Sequence, residues 1–76
     1  MTYSEEDLKN IIAVCEQDEE NAPLLKNLEN RCQKALVYTY YDLKISEKEK
    51  SILRWLYDDD MELDAKATLK KILKVT

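Results

Sequence analysis

Leu36-Val37-Tyr38-Thr39-Tyr40-Tyr41 is the stretch whose reading decides the fold. Its β-branched and aromatic residues favour extended backbone, so taken alone it reads as a strand. A strand needs a partner, and the 76 residues contain no second strand-like run. The run is therefore read as the last part of a long helix over residues 22–43. Leu25, Leu28, Cys32, Ala35, Leu36, Thr39 and Leu43 mark one stripe along it. With that reading the whole chain becomes all-α.

The rest of the composition agrees. There is no glycine, no histidine and one proline, Pro23. Glycine supplies the positive-φ positions of tight hairpins, so two-residue hairpins are hard to build here. Glycine-rich nucleotide loops are excluded outright. What remains natural is a set of helices joined by short polar turns. The length makes one domain, residues 1–76, with modest stability and little room for a deep pocket.

Three more helices follow from local signals. Ser4 caps a first helix over 5–19, acids fill its positive first turn, and Leu8, Ile11, Ile12 and Cys15 share one face. Asn21 and Pro23 open the second helix. Ser46 and Glu49 form a capping box that starts a short third helix over 47–57. Asp58-Asp59-Asp60 stops it and restarts a fourth over 61–74, with Asp59 and Glu62 in capping-box spacing. Met61, Ala65, Leu69, Ile72 and Leu73 form its inner face, and Lys66, Lys70, Lys71 and Lys74 gather toward its negative end. The expected fold is a small antiparallel four-helix bundle.

The formal net charge is −4, unevenly spread. Residues 1–30 hold eight acids and two bases. Such a surface repels phosphate backbones and anionic lipid and suits a partner protein with a basic surface. No apolar run approaches the length of a membrane span. Cys15 and Cys32 fall on apolar faces, and no signal-like start precedes them. Together these fit a cytoplasmic protein with two free, buried thiols. No cofactor and no metal is expected, because two cysteines without histidine make a poor zinc site.

Catalysis has little to work with, since no histidine stands by to activate a cysteine or hydroxyl. Asp58, Asp60 and Glu62 imitate the start of a calcium loop. Leu63 replaces the required glycine and Leu69 the required glutamate, so a turn with capping acids is the better reading. The third and fourth helices have helix-turn-helix dimensions, but acids crowd the end that would read bases, so nucleic acid is disfavoured. Tyr38, Tyr40 and Tyr41 cannot all face one stripe, because successive helical residues point about 100° apart. Exposed tyrosine is a frequent interface anchor. The candidate partner-binding residues are Glu16, Asp18, Glu19, Glu20, Tyr38, Tyr40 and Tyr41.

The segment from Tyr40 to Leu56 resembles the central part of the immunity proteins against pediocin-like bacteriocins. The resemblance is carried by the tyrosine-rich helix end, by Tyr41-Asp42-Leu43-Lys44-Ile45-Ser46, and by Glu49, Leu53 and Leu56. Members of that family tend to be longer and basic. The resemblance implies a small cytosolic four-helix bundle that acts by binding. The expected function is thus a non-enzymatic protein of the immunity or inhibitor kind that binds and modulates another protein, as a monomer or weak homodimer. The alternatives are a phage- or plasmid-type transcription regulator with a degenerate helix-turn-helix, and a self-associating helical module.

Overall fold

The computed structural model describes residues 3–38 and 43–73. They form four helices: α1 (Glu5–Gln17), α2 (Ala22–Val37), α3 (Glu47–Leu56) and α4 (Leu63–Leu73). Among the described residues there is no strand, so the fold is an all-α helical bundle.

Helices α1 and α3 each start where a side chain satisfies their first free amides. In α1 the Ser4 hydroxyl accepts from the Asp7 amide, and the Asp7 carboxylate accepts from the Ser4 amide, each at 3.1 Å. Ser46 and Glu49 make the same reciprocal pair at α3, at 3.1 and 3.0 Å. Asn21 makes no side-chain cap at α2, where the proline lies in the first turn and removes one amide that would otherwise need a partner. The expected Asp59–Glu62 box does not form. Asp58 instead folds the junction locally: its Oδ1 accepts from the Asp60 amide at 3.0 Å, and its carbonyl accepts from the Met61 amide at 3.0 Å. Helix α4 therefore begins at Leu63 rather than at residue 61.

The largest departure from the sequence reading is at the end of α2. The helix stops at Val37, and Tyr38 is extended, with φ −103° and ψ 108°. The expected continuation to Leu43 is not made. Thr39, Tyr40 and Tyr41 lie outside the described residues, as does Lys74. Leu43 is nonetheless buried, in the segment leading to α3. The run has low helix propensity, and the lack of a pairing strand excludes a sheet without excluding an extended residue such as Tyr38 at the helix end. Helix α1 likewise ends at Gln17, short of residue 19, where Asp18 takes extended backbone.

The helices close into a ring in which α1 lies between α2 and α4, and α3 touches α4 and α2. The partners of α1 run antiparallel to it. Asp7 and Asn10 meet Thr68, while Ala13 and Gln17 face Met61 and Ala65. The core is Leu8, Ile11, Val14, Cys15, Leu25, Leu28, Cys32, Leu43, Leu53, Leu69, Ile72 and Leu73. Ile12, Ala35, Leu36, Met61 and Ala65, expected inside, are half-buried against it.

Two polar clusters tie the ring together. At one, Asp7 on α1 accepts from Thr68 at 3.2 Å and Lys71 at 2.6 Å, both on α4, while Asn10 donates to Thr68 at 3.1 Å. At the other, Arg31 on α2 donates to the Lys44 carbonyl and to the carboxylate of Glu49. Both thiols are free and buried. Burial, with smaller contributions from Cys32 and nearby glutamates, pushes Cys15 up to about 12. Burial also pushes Cys32 to about 11, against the opposing pull of Arg31.

Candidate functional site

The antiparallel packing of α1 against α4 does something the linear sequence conceals. It brings the acids at the end of α1 beside the acids of the turn that leads into α4. Glu16 and Gln17 face Asp60 and Glu62 across an open groove of about 520 Å³, floored by Ala13, Val14, Met61 and Ala65. Glu19 and Glu20 lie in the adjoining α1–α2 turn, and Asp58 and Asp59 in the α3–α4 turn. One end of the bundle is thus strongly acidic. The Lys66 ammonium answers Asp59 there, 3.6 Å from its carboxylate.

The four acids expected to bind a partner divide into two roles. Glu16, Glu19 and Glu20 are exposed. Asp18 is half-buried and builds the turn: its carboxylate accepts from the Glu20 amide at 2.9 Å and from the Asn21 side chain at 3.0 Å. Its carbonyl also accepts from the Ala22 amide at 2.8 Å. Asp18 holds the others in place rather than presenting its own charge.

Glu29 was missed by the sequence reading and belongs to this end. It is 7% exposed, and it lines a second open groove, of about 440 Å³, between α1 and α2, together with Glu16, Glu19, Ala22, Pro23 and Lys26. Lys26 binds Glu29 Oε1 at 3.3 Å. The signal was present: positions 25, 28, 29 and 32 fall on one helical face, so Glu29 had to lie on the inner stripe.

Tyr38 is at the other end of α2. Helix α2 has 16 residues, so about 24 Å separates its two ends. The structure therefore does not bring Tyr38 together with Glu16–Glu20. Tyr40 and Tyr41 lie outside the described residues. Tyr38 is 62% exposed and its neighbour Val37 is 74% exposed. With Asn30, Gln33 and Lys34 they line a shallow groove of about 390 Å³ that contains no acid. Trp55, on the outer side of α3, is 71% exposed.

Among the described residues no three His, Cys, Asp or Glu side chains are grouped to hold a metal ion. No helix among them is long and apolar enough to cross a membrane. Fold and surface together define a small all-α bundle with an acidic end and an acid-free, tyrosine-bearing face at the far end of α2. Compared with known proteins, the chain matches no family model, no curated protein and no solved structure.

Proposed function

We propose that the chain is a non-enzymatic protein that binds and modulates another protein. The observation that carries this reading is the exposure of Val37 and Tyr38 on an acid-free face of an otherwise acidic molecule. A small domain gains stability by burying such side chains, and these two stay outside. Tyrosine brings a large rigid surface with one polar tip, which suits a contact that is dry at its centre and wet at its rim. The amides of Asn30 and Gln33 on the same face supply hydrogen bonds without the cost of desolvating a charge. The narrower immunity or inhibitor reading rests on the resemblance of residues 40–56. A cytoplasmic setting fits the two free thiols.

The test is affinity capture from the source cell, wild type against Tyr38→Ala. A protein held by the wild type and released by Tyr38→Ala is the expected result. If nothing is held, or the variant holds every captured protein equally well, the reading fails. The exposed Leu24, Val37 and Leu63 would also serve contact with a second copy. A monomer in sedimentation at tens of micromolar removes that reading.

A further inference from the structure

We propose that the groove between the end of α1 and the start of α2 seats a cationic side chain of a basic protein segment, with Glu29 at its base as the receiving group. This rests on the protein-binding reading and names the chemistry of the partner and a second place where it is held.

Among the described residues Glu29 is answered on one carboxylate oxygen only. Glu29 is nine-tenths buried. A buried carboxylate is costly unless paired and hydrogen-bonded. Its one ion partner among the described residues is Lys26, at 3.3 Å on Oε1, and the Lys26 side chain is itself 65% exposed. Oε2 accepts no hydrogen bond from any described residue. Glu29 lines the groove, so a cation entering there meets it.

The rest of the groove has the chemistry that a long basic side chain needs. Ala22 and Pro23 offer an apolar wall, against which the methylene stem of arginine or lysine packs. Glu16 and Glu19 stand at the rim, exposed. Glu16 also borders the groove on the other side of α1, where Asp60 and Glu62 add their charge. Such a field accelerates the approach of a basic surface and orients it. Because the acids are spread out rather than gathered about one point, they match an extended basic segment better than a single ion.

The test uses an acetylated, amidated peptide of alternating alanine and arginine, titrated at low salt into the isotope-labelled full chain. The amide shifts are expected to centre on Glu16, Glu19, Ala22, Lys26 and Glu29. Glu29→Gln, which keeps the shape and removes the charge, should weaken binding about tenfold. Glu5→Gln, the same charge change at the far end of α1, should weaken it less than about twofold. Lys26→Met should tighten binding because it removes the internal competitor, and by more than Lys9→Met, which changes the net charge equally. Should Glu29→Gln fold poorly, the exposed pair Glu16→Gln with Glu19→Gln should still weaken the peptide severalfold.

Shifts spread over the whole surface overturn the proposal. So does equal weakening by Glu29→Gln and Glu5→Gln, or no binding at all. The two readings fail separately. Capture of a partner through Tyr38 with a flat peptide titration removes the groove alone. A groove that binds as described, with no partner depending on Tyr38, removes only the Tyr38 face.

Discussion

Asp7, in the first turn of α1, accepts a hydrogen bond from Lys71, in the last turn of α4, at 2.6 Å. The contact joins the beginning of the described chain to its end, and it is reinforced by Thr68 on the other carboxylate oxygen. The ammonium of Lys71 also sits 5.7 Å from the centre of the Tyr3 ring. Burial works to raise the Asp7 pKa, but hydrogen bonds from Lys71, Ser4 and Thr68 outweigh it and hold the group below its ordinary value. Glu49 is lowered in the same way, by Arg31 and Ser46 against burial. A carboxyl whose pKa falls on folding adds stability that is complete above its unfolded value, near about 4. That stability is lost as pH falls through the lower folded value. Stability should thus be level from about pH 7 to pH 5 and decline below about pH 4. Asp7→Asn should cost about 1–2 kcal/mol at neutral pH, and the gap from wild type should narrow at about pH 3. Urea unfolding followed by circular dichroism at the two pH values measures both. A gap that stays constant with pH would show that the Asp7 charge contributes nothing.

Arg31 and Glu49 make the corresponding link between α2 and α3. Glu49 is 7% exposed and answers both the Ser46 amide and the Arg31 guanidinium. Removing the arginine leaves a buried carboxylate with its capping role alone. Arg31→Met should therefore cost about 2–3 kcal/mol. In the background of Glu49→Gln the same change should cost clearly less, because no unpaired charge remains. A double-mutant cycle with no coupling between the two positions would sink this account.

The parts of the fold legible in the sequence are those settled within one turn of helix. The spacing of Ser46 and Glu49 predicts a capping box, and the box forms. The Ser4 cap was also read, though not that Asp7, one methylene shorter than the usual glutamate, would close the box. The α2 end was misjudged because local propensity and the lack of a pairing strand pull in opposite directions there. Propensity won, at the level of a single extended residue, Tyr38. The meeting of Glu16 with Asp60 and Glu62 could not be read locally. It depends on α4 lying antiparallel beside α1, and nothing in either helix alone specifies its neighbour. Glu29 was legible by spacing and passed over, because a glutamate is expected outside.

The two thiols should be chemically silent in the folded chain. Thiolate is the reactive form, and burial drives Cys15 up to about 12 and Cys32 up to about 11. Both side chains are also shielded from reagent, at no more than 1% exposure. A thiol reagent at about pH 8 should label neither until the protein opens. The labelling rate should rise with urea in step with unfolding. Rapid labelling of either thiol in the native state would contradict the packing of α1 against α2.

Trp55 should be nearly neutral for stability despite being the one tryptophan. It lies two residues past the buried Leu53, about 200° further around α3, so the helix that buries one must expose the other. Its 71% exposure leaves little transfer free energy to lose on truncation. Trp55→Ala should change stability by less than about 0.5 kcal/mol. Leu53→Ala, two positions away, should cost about 3–4 kcal/mol, because it empties a fully buried site. The indole emission of the native protein should already be close to that of solvated tryptophan, and shift little on unfolding. A strong red shift on unfolding, or a large loss of stability in Trp55→Ala, would place the ring in the core and require α3 to be turned by about half a revolution. Protein capture offers an independent check. If a partner covers this side of α3, its binding should move the emission to the blue, and an unmoved spectrum would confine the contact to other faces.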